Sequence, residues 1–282
     1  MRTSELRESK AFVVWSRRGT RTLTYGVLIV VAIVMLYPFW SMLMASLHSQ
    51  TQYVDGHGWS LQSWTDLFQS LPVVRELLNS MILCVGSIVL ILIVSLTAGF
   101  ALGTLRFRAS GLVFLLVISA MMVPVQSMII PEFVNLARLG FIDQYYGAIL
   151  VYTAVGIPFA TFLLTAYFRR LPEDVIEAAL MDGLGYGKIF VRIMVPMALP
   201  AIATIIVLQF IQIWDDLLIG LLFLQTPQLR PITVGLATLS SQHGADFPLI
   251  MAGSLLSALP AVAVYLFFQR YLISGLTMGM SK

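Results

Sequence analysis

A bilayer's hydrocarbon core is about 30 Å thick, so a helix needs about 20 consecutive apolar residues to cross it. Six stretches of this chain are that long and that apolar: residues 25–46, 79–105, 111–136, 146–168, 198–224 and 248–268. No other feature constrains the fold as much. In lipid every backbone N–H and C=O must be paired within its own segment or within a closed sheet, and runs of this length satisfy that condition as helices. The fold class expected is all-α and integral to a membrane, with six transmembrane helices. Composition agrees, because 59% of the 282 residues are hydrophobic and 11% charged, against about 45–50% and 25% in a soluble domain. Pro124 and Pro131 in the third run, and Pro196 and Pro200 around the start of the fifth, mark places where a helix is interrupted or kinked.

Basic residues give the orientation. Of the 17 Lys and Arg, all but Arg75, Arg138 and Arg230 fall in one set of alternate connections: the N-terminal tail, Arg106 and Arg108, then Arg169, Arg170, Lys188 and Arg192, and finally Arg270 and Lys282. The positive-inside rule makes that set cytoplasmic, so both termini are expected inside the cell. The organisation expected is a basic cytoplasmic tail over 1–24 and a six-span domain over 25–282. Within it, 169–192 is a cytoplasmic loop and 269–282 a cytoplasmic tail. The first run is too long for a signal-peptide core and reads as an uncleaved anchor. This asymmetry accounts for the basic excess, and a nucleic-acid partner has nothing to support it. Cys84, alone and inside an apolar run, rules out an internal disulfide and a cysteine-ligated metal cluster. His48, His57 and His243 lack ligand spacing, so no metal is expected. The polar stretch 47–78 contains "SWTDLFQSL", whose pattern predicts a short amphipathic helix resting on the outer membrane surface.

The 169–192 loop is unusual for so apolar a chain. Pro172 followed by Glu173 and Asp174 reads as a helix start, with proline at the first helical position and carboxylates near the positive helix end. The helix should run to Met181 and stop at Asp182-Gly183, where glycine adopts the left-handed conformation. Ile176, Ala179, Leu180 and Gly183 then share a small, apolar face, suited to a groove in another protein or to packing against the chain's own bundle at the membrane surface. "DGLGYGKI" is not a phosphate loop: Asp182 stands where the first glycine of a Walker motif belongs, and Ile189 where Ser or Thr belongs.

The segment "EAALMDGLGYGKIFVRIMVPMALP" resembles the EAA signature of ABC-importer permeases, at Glu177, Ala178, Ala179, Asp182, Gly183, Phe190, Ile193, Pro196 and Pro200. "LYPFWSMLMASL", "MMVPVQSMIIP", "FRRLPEDVIEAA" and "FQRYLISGLTMGMSK" are similar to the carbohydrate-uptake branch of that family, and to its smaller six-span permease in particular, over most of residues 25–282. The resemblance implies a permease subunit of an ATP-driven, binding-protein-dependent sugar importer in a bacterial inner membrane, forming half of the translocation pathway. It implies a homologous second permease, two cytosolic ABC ATPase subunits that carry ATP and Mg, and an extracytoplasmic sugar-binding protein. The chain itself is then no enzyme and binds no cofactor. Glu177, Ala178, Ala179, Asp182 and Gly183 are implied to form a coupling helix that docks on the ATPase. One departure is Trp214-Asp215-Asp216, where the family commonly has Trp-Asn-Asp.

Carboxylates are costly in hydrocarbon, so Asp215 and Asp216 are expected to face a cavity or a partner. Trp214 beside them has a surface on which a sugar ring can stack, or serves packing at the interface. Gln209 and Gln212 follow at helical spacing, able to bond either sugar hydroxyls or a neighbouring helix. The methionines read as core filler. Two other classes make different demands on a chain of this kind. An ion-coupled secondary transporter calls for an acidic relay and broken helices in matching halves. A membrane enzyme calls for clustered His, Asp or Glu.

Overall fold

The computed structural model describes residues 2–105, 107–243 and 246–277, and every regular element among them is helical. In chain order these are α1 (Arg2–Ser46), α2 (Gln50–Asp55), α3 (Gln62–Ser70), α4 (Val73–Thr104), α5 (Ser110–Ala120), α6 (Val125–Arg138), α7 (Tyr145–Phe168), α8 (Glu173–Met181) and α9 (Tyr186–Ile189). A π-helical turn (Phe190–Met194) follows, then α10 (Val195–Met197), α11 (Leu199–Trp214), α12 (Leu218–Phe223), a 3-10 turn (Pro227–Leu229), α13 (Ile232–His243) and α14 (Phe247–Thr277).

Four spans are continuous and long enough to cross a membrane: Leu23–Ser46, Val73–Thr104, Tyr145–Phe168 and Phe247–Tyr271. The other two expected runs are broken. The third, expected over 111–136, is α5 and α6 meeting at 93°, and the fifth is Tyr186–Met197 meeting Leu199–Trp214 at 69°. Proline is the physical cause, since Pro124 directly precedes α6 while Pro196 and Pro200 remove two amide donors at the second corner. The fifth run therefore does not extend to 224 as one helix: it begins upstream at Tyr186, stops at Trp214, and resumes as the separate α12. Asp215 and Asp216 fall between α11 and α12, whereas two other carboxylates lie within helices of the expected spans. Glu132 lies in α6, and α4 starts early enough to include Glu76, which is 2% exposed.

The helices form two compact units. The first comprises α1, α2, α3 as far as Leu67, and Asp246 with the first turns of α14 as far as Leu255. Ser49 opens α2 with a capping box, accepting from the Gln52 N–H and donating its own N–H to Gln52 Oε1 at 3.2 Å. The Ser63 hydroxyl donates to the His48 carbonyl at 2.6 Å, which pins α3, and the short amphipathic helix expected over this stretch is present at Gln62–Ser70.

The second unit is organised around α4 and α7, which pack closely because glycines face the partner helix. A Cβ on Gly99 would stand 2.7 Å from Leu164 Cβ, so only glycine permits the approach. Gly103, one turn on, faces Phe168 of α7 in the same way, so both glycines serve packing within the chain. Cys84 is fully buried there and donates weakly to the Phe210 carbonyl at 4.0 Å. At the other end of α4, Asn79 Nδ2 donates to the carbonyls of Gln228 and Arg230 at 3.0 and 2.8 Å. Its Oδ1 accepts the Tyr145 hydroxyl at 2.6 Å, and Ser80 Oγ accepts the Ile232 N–H at 2.9 Å. This network ties the segment before α13 to α4. Asp143, at φ 61°, adds a second tie by accepting the Thr226 N–H at 2.8 Å and the Thr226 hydroxyl. Burial opposes its ionisation, but hydrogen bonds from Thr226 and Gln225, with the Arg230 charge, hold its carboxyl below the usual aspartate range.

Candidate functional site

The loop helix α8 forms as the sequence predicts, with one shift: Pro172 is the residue before the helix rather than its first. Glu173 and Asp174 occupy the first turn, where their charge favours the helix's positive end. At the other end Gly183 has φ +78°, the Leu184 N–H reaches the Ala179 carbonyl at 3.0 Å, and the Gly183 N–H reaches that of Leu180 at 3.0 Å. This is a Schellman ending, and it gives α8 a fixed length independent of any partner.

Burial assigns the two faces of α8, and it divides the apolar face between the chain's own bundle and the outside. Ala179 is 4% exposed and Val175 and Ile176 are half-buried, so the Ile176 and Ala179 part of the small apolar face packs on its own chain, while Leu180 and Gly183 stay exposed. The outward face is Asp174, Glu177, Ala178 and Met181, spaced i, i+3, i+4, i+7, and Met181 is 88% exposed. Past the helix, Tyr186 and Val191 are exposed as well. Of the five residues expected to couple, Glu177, Ala178, Asp182 and Gly183 are exposed, while Ala179 supports the helix from beneath. The 3.6-residue period through Asp174, Glu177, Ala178 and Met181 is the signal that identifies the outer face. The start of the loop is clamped by Arg169, whose Nη2 donates to the Leu102 carbonyl at 3.3 Å and whose guanidinium lies 4.6 Å from the Phe114 ring centroid.

The five residues singled out around the fifth span divide. Trp214 is 2% exposed, donates its indole N–H to the Ser257 carbonyl at 2.9 Å and stacks on Phe210 at 5.2 Å between ring centroids. Its ring is committed to the fold and offers no free face to a sugar. Gln209 is buried as well, facing Gly156 of α7. Asp216 accepts the Tyr152 hydroxyl at 2.9 Å and the Ile219 N–H at 2.8 Å on one oxygen, while its backbone carbonyl accepts the Thr233 hydroxyl at 2.9 Å. Its bond from the Ile219 N–H ties down the first turn of α12. Gln212 and Asp215 point outward, in line with the exposed Leu208 at i, i+4 and i+7. The structure thus separates an inward trio from an outward pair that the sequence alone runs together.

The sequence profile described as "Binding-protein-dependent transport system inner membrane component" matches residues 28–277. The chain belongs to this family. It is an integral inner-membrane permease component of an ABC importer, a transport subunit and not an enzyme, and it works with a partner permease, an ATPase and a substrate-binding protein. That membership sets aside the ion-coupled carrier and the membrane enzyme. Among relatives, the arabinooligosaccharides transport system permease protein AraQ of Bacillus subtilis is 32% identical and aligns with 98% of this chain and 99% of its own length. The osmoprotective compounds uptake permease protein GgtD of Synechocystis sp. is 34% identical over 79% of this chain and 75% of its own. A chain in the crystal structure of a bacterial ABC transporter involved in the import of the acidic polysaccharide alginate superposes with a TM-score of 0.77 at 22% identity, covering 91% of this chain and 98% of that one. The type I importer permease fold is therefore shared.

Proposed function

We propose that this permease carries a sugar or oligosaccharide, pairs with a homologous second permease, and transmits the closure of two cytosolic ABC ATPase subunits to alternating access. The exposed face of α8 carries the reading: two carboxylates, a small residue and a nearly bare methionine on a rigid short helix form a plug for a groove on another protein. In this reading residues 169–192 and both terminal tails face the cytoplasm, although Met1 and residues 278–282 lie outside the described residues. ATP and Mg are bound by the ATPase subunits, and this chain holds no cofactor. Gln212 and Asp215 face the pathway or the partner permease, whereas Trp214, Gln209 and Asp216 build the wall behind them. Relatives named for arabinooligosaccharides and diacetylchitobiose support a carbohydrate cargo. Differential affinity of nucleotide for the two ATPase arrangements supplies the driving force, as any switch of state requires.

The test is assembly. The tagged chain is produced with a partner permease and sugar-importer ATPase subunits, and the detergent-solubilised mass is measured. The wild type is expected to form a four-subunit complex. Glu177→Lys and Met181→Asp are expected to keep the permease pair and lose the ATPase. A wild-type chain that recruits no ATPase, where a known sugar-importer permease does, refutes the reading.

A further inference from the structure

The corner between the loop and the fifth span has every chemical reason to be loose. Pro196 and Pro200 carry no N–H, so the helical ladder loses two donors within five residues. The five-residue π-turn just upstream shifts the register further, with the Val195 N–H reaching back to the Phe190 carbonyl. Breaks of this kind act as hinges when the packing around them is thin.

Here the inward side is tightly packed, while Val191, Pro196 and Leu199 are exposed on the other. Ile189, Met194 and Ala198 are each 0% exposed. The Ala198 N–H is shared between the carbonyls of Met194 at 2.9 Å and Val195 at 3.1 Å. Phe190 packs on Phe100 of α4, with 5.2 Å between ring centroids, and Phe100 in turn meets Phe168 of α7 edge-on. The Met197 carbonyl, at the apex of the 69° bend, accepts the Tyr167 hydroxyl at 2.8 Å. Tyr167 comes from α7, just before the chain enters the loop, so the latch joins the strand of chain entering the loop to the one leaving it.

We infer that Tyr167 is a positioning residue that locks this corner, so that the Tyr186–Met197 arm and α11 move as one L-shaped lever, with α8 joined to one end through the Gly183 turn and the Gln212–Asp215 face at the other. The lever rests on the proposed coupling role of α8; the latch itself does not. With the corner held, displacement of α8 is delivered to the far end of α11 rather than absorbed at the prolines.

Tyr167→Phe removes only the hydroxyl. Amide hydrogen exchange on the purified chain in detergent is expected to rise roughly two- to tenfold over residues 195–204, the range that one hydrogen bond spans. In the assembled transporter, the same variant is expected to keep ATPase recruitment while substrate moved per ATP hydrolysed falls several-fold. Exchange at the corner of the wild type is expected to be the same with and without trapped nucleotide. Unchanged exchange in the variant overturns the latch. Faster exchange with undiminished transport per ATP overturns the positioning role. A nucleotide-dependent rise in corner exchange in the wild type makes the corner a hinge and overturns the lever. Failure of the wild type to recruit an ATPase would instead refute the coupling reading, and the exchange measurement on the chain alone would still decide the latch.

Discussion

Asp216 is the clearest place to separate a charge that serves transport from a carboxylate that serves folding. Its Oδ1 accepts both the Tyr152 hydroxyl and the Ile219 N–H, and Tyr152 is 4% exposed. Asp216→Ala leaves the tyrosine hydroxyl buried without that acceptor, which costs about 1–3 kcal/mol. Loss of the cap at the start of α12 adds about 1 kcal/mol. The sum expected is about 2–4 kcal/mol, read as a displaced midpoint when the purified chain is unfolded in mixed micelles of increasing dodecyl sulfate content. Asp216→Asn presents the same oxygen to both donors and is expected to stay within about 1 kcal/mol of the wild type, with transport retained. A double-mutant cycle with Tyr152→Phe should return a coupling energy of about 1–2 kcal/mol, because the two side chains share one bond. If Asp216→Asn unfolds as readily as Asp216→Ala, or if the cycle is additive, the hydrogen-bond account is wrong and the negative charge itself is required.

Two further outcomes test the packing and the outer tie. Gly99→Ala should destabilise the chain by about 1–3 kcal/mol through its clash with Leu164, whereas Gly111→Ala, with nothing within 4 Å of the added carbon, should not, and the same micelle titration compares them. Asp143 is held below its ordinary value of 3.8, so its contribution is present above that value and is lost as pH falls through the lower folded value. Amide exchange over 224–231 is therefore expected to quicken below about pH 4, and Asp143→Asn to remove that acid-side dependence.

Much of this architecture is legible in the sequence, and the shortfalls share one cause. Length and hydropathy locate six runs because the bilayer fixes how long an apolar helix must be, and Gly183 announces the end of α8 because only glycine takes φ +78° there without strain. Tertiary direction is less visible. Ile176 and Ala179 look like a docking face because a small apolar stripe fits a foreign groove and an internal one equally well; burial against the rest of the chain decides. Trp214 and Asp216 likewise have the composition of a binding site, and their commitments depend on partners tens of residues away, Ser257 and Tyr152, or on local contacts that an apolar window conceals, the i−4 stack on Phe210 and the i+3 cap of Ile219. Pro196 and Pro200 signal a break, yet nothing local signals that Tyr167, 30 residues upstream of the carbonyl it binds, holds it.

The burial of Cys84 has a practical consequence. The one thiol in the chain is sealed between helices, away from water and from thiolate-stabilising charge, so aqueous maleimides and methanethiosulfonates have no route to it while the fold is intact. The natural protein is in effect already a cysteine-free background. A single cysteine introduced at Ala178 or Gln212 can be labelled by itself, without first removing a residue on which the core depends. Onset of labelling at Cys84 in turn reports that α4 has parted from its neighbours.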